Sequence, residues 1–141
     1  HIVDAANTSR NELNVQLASA VQAFQPDIVV LAGFMRLLTM GFLAHFPQRV
    51  INVHPALPGE LPGTHAIARA FDEFIAGKRI HTGVMVHFVS DEGVDNGPVI
   101  ESAIVPIHPS DSLADLEQRM HATEHQLLIN ALTQLTKEHT P

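Results

Sequence analysis

Asn52 and His54 stand two residues apart in the run Ile51-Asn52-Val53-His54-Pro55. Side chains alternate along a strand, so a strand here points both to one face. A carboxamide and a titratable ring would then converge where the strand stops. That pair suits acyl transfer, in which an amide N–H stabilises a developing oxyanion and an imidazole moves a proton. An ordinary strand end with an Asn-His turn would use the same residues. The loop that follows, Ala56-Leu57-Pro58-Gly59-Glu60-Leu61-Pro62-Gly63, is half proline and glycine.

Three other groups could carry chemistry. Gly33-Phe34-Met35-Arg36-Leu37-Leu38 follows an earlier apolar run and could frame a flat heterocycle or simply pack. Asp95, beside Asn96 and Gly97, would favour the charged form of His54 if the two met, raising its pKa. Turn chemistry alone also accounts for Asp-Asn-Gly. His121-Ala122-Thr123-Glu124-His125 spells H-x-x-E-H, an inverted zinc-hydrolase pattern that puts two histidines on one helical face. A catalytic zinc needs a third protein ligand, and the one acid beyond His125 is Glu138. With ten histidines in the chain a chance match is easy, so no metal is expected. His81 and His87 share a strand face without a convincing partner, and a structural role is expected of them.

These residues need a scaffold, and the hydrophobic pattern supplies one. Ser9 and Glu12 form a capping box ahead of Leu13, Leu17, Ala20, Val21 and Phe24 at helical spacing, and Pro26 ends the helix. Asp27 to Ala32 and Val50 to Val53 read as buried parallel strands. A short helix is expected over Gly41 to Phe46 and a longer one over Ala66 to Ala76, stopped by Gly77. Thr82 to Val89 and Pro98 to Val105 are β-rich runs joined by the acidic, glycine-containing connector Ser90 to Gly97. That connector is either a long hairpin turn or a functional loop. Ser110 or Asp111 caps a final helix whose stripe is Leu113, Leu116, Met120, Leu127, Leu128, Ala131 and Leu135. The fold class is α/β, with a parallel first half and a mixed second half. Ligands in such sheets bind beyond the carboxyl ends of the parallel strands, where both candidate segments lie.

At 141 residues the chain suits a single domain, and 45% apolar with 16% charged residues is globular. A net charge of −7 without any basic run argues against nucleic acid as partner. No apolar stretch reaches the roughly 18 residues that span a bilayer, so no membrane is expected and a cytoplasmic location is the default. Without cysteine, thiolate metal sites and disulfides are excluded. The chain starts at His1 rather than Met, which suggests a trimmed or incomplete chain.

Four motifs then occur in one order. LAGFMRLL (Leu31 to Leu38), INVHPALPGELPGTHAI (Ile51 to Ile67), TGVMVHFVSDEGVDNGPVI (Thr82 to Ile100) and the TEH of the last helix together resemble the phosphoribosylglycinamide formyltransferase family. The resemblance covers essentially all of the chain. It implies a Rossmann-like formyltransferase fold, a mixed and mostly parallel sheet flanked by helices. It also implies formyl transfer from 10-formyltetrahydrofolate to the amine of glycinamide ribonucleotide in purine synthesis, without a metal.

By motif, Asn52, His54 and Asp95 resemble the catalytic residues. Arg10, Met35, Arg36, Leu37 and Leu38, with Asn52 shared, resemble the folate-contacting residues. The loop from Val89 through Ser90, Asp91 and Glu92 to Asp95 should close over the pteridine. Pro55 and Glu124 fall where the nucleotide substrate is held, Glu124 on its ribose, so HATEH is better explained that way than as zinc. Formyltetrahydrofolate deformylases and methionyl-tRNA formyltransferases share the Asn-x-His…Asp core. LAGFMR and Pro62-Gly63-Thr64-His65 favour the glycinamide ribonucleotide enzyme, and the acidic charge disfavours a tRNA. A folate-binding module without turnover is the rival from another class.

Two departures stand out. Ala56-Leu57-Pro58-Gly59 replaces the family's usual S-L-L-P, so the loop backbone there is expected to differ. The family's N-terminal βα units, with the glycine-rich phosphate loop, find no counterpart. The expectation is an incomplete catalytic domain over 1–141, a monomer or homodimer, with weak nucleotide binding, low turnover and an exposed sheet edge.

Overall fold

The computed structural model describes Val3 and residues 8–138. His1, on which the reading of a trimmed start rests, lies outside them, as does the side chain of Glu138. The chain runs α1 (Arg10–Gln22), β1 (Val29–Leu31), α2 (Met40–Leu43), β2 (Val50–His54), α3 (Ala66–Ile75), β3 (His81–Phe88), β4 (Val99–Pro106) and α4 (Leu113–Glu138). The four strands lie in sequence order. β1 and β2 are parallel, pairing Val30 with Ile51, and β3 and β4 add antiparallel neighbours. The mixed α/β sheet expected from the hydrophobic pattern is therefore present, with its parallel pairing confined to β1 and β2.

Consecutive residues of β2 seed two cores because their side chains alternate. Ile51 joins Val84, Val86 and Val105 beneath the α4 stripe of Leu116, Met120, Leu127, Ala131 and Leu135. Val50 faces the other way, onto Leu38, Phe42, Leu43, Phe46 and Ala18. Leu116 and Met120 are fully buried, and truncating either to Ala removes about 2–5 kcal/mol. The sheet is thus clamped from both faces, and the carboxyl end of β2 stays fixed between them.

Several expectations need correction. β1 is shorter than Asp27 to Ala32 and only half-buried, because it forms one edge of the sheet. The α1 face rests on Leu13, Asn14 and Ala18, whereas Phe24 lies past the helix end at 73% exposure. Asn14 is tolerated inside because its Oδ1 accepts the Thr39 N–H at 2.9 Å and its Nδ2 donates to the Arg10 carbonyl at 2.9 Å. The cap of α4 is Ser112, neither Ser110 nor Asp111. The Ser112 and Asp115 side chains each meet the other's backbone N–H, at 3.3 and 2.8 Å. Asp111 is taken by Arg119 in two bonds of 2.7 and 2.8 Å.

Candidate active site

β2 ends on His54, and the antiparallel neighbour places His87 directly across from Asn52. Between β3 and β4 the connector folds back over this end of the sheet. The β3–β4 register slips by one residue at Val86/His87, a bulge that bends the ribbon beside the site. Gly97 permits the return, since a Cβ there would stand 1.8 Å from the Phe88 carbonyl oxygen. Asp95 takes a left-handed φ of +50°, a conformation that aspartate tolerates better than most residues.

The Asp95 carboxylate is the hub. Its Oδ2 lies 3.2 Å from His54 Nδ1 and accepts the Gly63 N–H at 2.8 Å. Its Oδ1 accepts from Asn52 Nδ2 at 3.2 Å and lies 3.5 Å from His87 Nε2. The expected convergence of Asn52, His54 and Asp95 is therefore present in the geometry. His87 departs from its expected structural role: it has partners after all, in Asn52 and Asp95. Its Nδ1 donates to the Phe88 carbonyl at 2.9 Å, so the neutral ring offers Nε2 as an acceptor to Asn52 Nδ2 at 3.3 Å. In the charged ring Nε2 would instead donate to Asp95.

Two consequences follow for the electrostatics. Both amide hydrogens of Asn52 are engaged inside the protein, one by Asp95 and one by His87. His54, 3% exposed, has an acceptor at each nitrogen, Asp95 at Nδ1 and the Leu61 carbonyl 3.1 Å from Nε2. Burial is the largest influence on His54 and holds its pKa below the ordinary histidine value. The Asp95 charge and the Leu61 carbonyl pull the other way. A neutral ring leaves one acceptor without a proton, and a captured proton satisfies both. Burial also pushes Asp95 upward, but the bond that a charged His87 gives it, the Gly63 N–H and the charge of His54 outweigh that push. Asp95 is ionised at neutral pH.

A cleft of about 360 Å³ opens over this cluster. Met35, Arg36, Leu37 and Leu38 line one wall, Val89, Asp91 and Asp95 another, and Asn52, His54 and Pro55 the floor. Glu124 enters from α4 at a position where the apolar stripe would place a hydrophobe, and burial raises its pKa against the charges of His121 and His125. Arg10, Ser90 and Glu92 lie outside the lining. Arg10 instead ties the walls together: Nε and Nη2 reach the Leu37 and Leu38 carbonyls at 3.4 Å, and Nη2 lies 3.6 Å from Glu92. Glu92 also accepts the Met40 N–H at 2.9 Å, fastening the connector to the start of α2. His121 lies 4.0 Å from Glu124, and no group of three His, Asp or Glu among the described residues is placed to hold a metal ion.

Comparison with known proteins gives the family. The formyl transferase family model matches residues 2–132. The phosphoribosylglycinamide formyltransferase of Dictyostelium discoideum is 41% identical over 139 residues, 94% of this chain and 67% of that protein. Among solved structures, that of Streptococcus pneumoniae phosphoribosylglycinamide formyltransferase superposes with a TM-score of 0.88 at 30% identity, covering 96% of this chain and 73% of the other. That of the Bacillus halodurans enzyme gives 0.82 at 37%, covering 90% and 63%. The chain thus spans about two thirds of the length of these relatives. It belongs to the formyl transferase family, and the relatives described are phosphoribosylglycinamide formyltransferases.

Proposed function

We propose that this chain carries the formyl-transfer centre of a glycinamide ribonucleotide formyltransferase. The substrate amine takes the formyl group of 10-formyltetrahydrofolate, a step of purine synthesis. The observation that carries the reading is the Asp95 carboxylate, within 3.2 Å of both Asn52 and His54 at the floor of the cleft.

In this reading the amine nitrogen attacks the formyl carbon, whose oxygen becomes negative. His54, with an unfilled acceptor at one nitrogen, takes the proton that the amine loses. The resulting imidazolium is held between Asp95 and the Leu61 carbonyl and faces the oxyanion with its charge. An oxyanion is a stronger acceptor than a neutral imidazole nitrogen. The amide hydrogen that Asn52 lends to His87, at a long 3.3 Å, therefore moves to the substrate oxygen. When the carbon–nitrogen bond to the folate breaks, the proton passes from His54 to the departing nitrogen.

Residues 35–38 and 89–95 would grip the pteridine between two backbone segments, with Arg36 available to the folate's carboxylates and Arg10 bracing the Leu37 and Leu38 carbonyls. Pro55 and Glu124 would hold the nucleotide, the carboxylate accepting from ribose hydroxyls. The absence of any basic run favours a small nucleotide over a tRNA acceptor.

The test is a crystal soaked with a folate antagonist, paired with a turnover assay. The pteridine is expected between residues 35–38 and 89–95. An antagonist lodged elsewhere contradicts the placement, and binding there without any formyl product supports a folate-binding module instead.

A further inference from the structure

We propose that Arg79 is a positioning residue which, through Glu60, fixes the Leu61 carbonyl against His54. Arg79 touches no part of the cleft. It stands between α3 and β3 with its side chain 15% exposed, and its Nε donates to Glu73 at 2.7 Å. Its Nη1 reaches Glu60 at 3.0 Å and the His81 carbonyl at 3.3 Å. Glu60 is the residue before Leu61, so the guanidinium grips the loop beside the carbonyl that meets His54 Nε2.

The loop needs such a grip. Gly59, Leu61 and Gly63 all take left-handed φ values, +78°, +44° and +81°. For Leu61 that conformation is strained and persists only where surrounding bonds enforce it. The loop's early part is held by the Leu57 side chain, which fills the space over Gly83 where a Cβ would stand 2.3 Å from Cδ2. Its end is held by Arg69, which donates to the Pro62 and Thr64 carbonyls at 2.8 and 3.2 Å. Between these anchors the Leu61 side chain packs with Ala56, Ala66 and Ala70, and the Glu60 carboxylate ties the strained segment to α3 and β3 through Arg79. An arginine that donates to two carboxylates and a carbonyl keeps its direction far better than an exposed pair. The loop that follows the departing Ala56-Leu57-Pro58-Gly59 thereby gains a defined position for the Leu61 carbonyl.

The charged and titratable groups that act on His54 are Asp95 and His87, and the cleft lining around it also carries Arg36, His65, Asp91, His121 and Glu124. None of them bonds Arg79, and removing the Arg79 positive charge would by itself raise the His54 pKa, so a fall in that pKa on altering Arg79 reports the loop. Burial lowers the His54 pKa, while bonds from Leu61 and Glu60 oppose it.

The effect on turnover rests on the formyl-transfer reading, but the test does not. The imidazole of His54 is titrated by NMR in the full chain, as wild type and as Arg79→Met, Arg79→Lys and Glu60→Gln. In Arg79→Met the apparent pKa of His54 should fall by about one unit, the equivalent of one hydrogen bond to a charged group. Glu60→Gln, which keeps the side chain's shape, should shift His54 in the same direction, and Arg79→Lys should recover part of the loss. Formyl transfer should lose kcat roughly tenfold in Arg79→Met while KM stays near the wild-type value. An unshifted His54 in folded Arg79→Met, or in Glu60→Gln where the methionine variant fails to fold, overturns the proposal. A shifted His54 in the variants, beside a wild type that transfers no formyl, leaves the positioning intact and removes the formyl reading.

Discussion

His54 Nδ1 and Asp95 Oδ2 face each other at 3.2 Å, one closing a central strand and the other set in the connector between the last two strands. Their side chains are 4% and 11% exposed, so the pair meets with little water to screen it. Both groups then make stability depend on pH in one direction. The His54 pKa is held below its usual 6.5, so the unfolded chain takes up a proton first and stability falls as pH drops below that value. The Asp95 pKa is held below 3.8, so its contribution is present above that value and is lost as pH falls through the folded pKa. Melting temperature measured from pH 8 downward should decline in two stages, and His54→Gln should flatten the first. An identical slope in that variant would assign the first stage to another histidine.

Asn52→Ala removes an amide whose hydrogens bind Asp95 and His87 in the resting site. We expect kcat for formyl transfer to fall about 10²–10³-fold, the usual cost of one oxyanion donor, with a wild-type circular dichroism spectrum. Near-normal kcat would reduce Asn52 to a residue that shapes the loop.

Gly97 lets the chain pass against β3, and an alanine methyl would collide with the Phe88 carbonyl oxygen. Gly97→Ala should cost about 1–3 kcal/mol by denaturant unfolding, the range for overpacking, and should displace Asp95 from His54. Unchanged stability would mean that the connector has room that the structure does not display.

What the residue pattern revealed and what it hid divides along physical lines. Strand alternation placed Asn52 and His54 on one face, and the 3.6-residue stripe of α4 located Leu116, Met120, Leu127, Ala131 and Leu135 correctly. His87 was missed because its partner depends on β2 and β3 being antiparallel neighbours, and a single strand carries no mark of who lies beside it. The Leu61 carbonyl and the Gly63 N–H were invisible because every residue has these groups and only the fold aims them. The apolar look of β1 suggested burial on both faces, and its place at the sheet edge left it half-exposed. Asp111 lost its claim as the α4 cap to Ser112 because its carboxylate is taken by Arg119, a bond that spans eight positions and cannot be read locally.

Glu124 lies half-buried on the cleft wall, with its carboxyl pKa raised by burial. If it accepts from ribose hydroxyls, Glu124→Gln should raise KM for the nucleotide roughly tenfold, equivalent to about 1.4 kcal/mol, and leave kcat and folate affinity near normal. A variant that loses kcat instead would move Glu124 from binding into the chemistry.

The claim that Asp95 organises a formyl-transfer centre is tested most directly by turnover at saturating 10-formyltetrahydrofolate and glycinamide ribonucleotide, wild type beside Asp95→Asn. Asparagine preserves the shape but removes the charge that favours a protonated His54. The wild type should release formylated nucleotide, and the variant, folded and still binding folate, should do so about 10²–10³-fold more slowly. Equal rates in the two proteins, or no formylated product from the wild type at saturation, would contradict it.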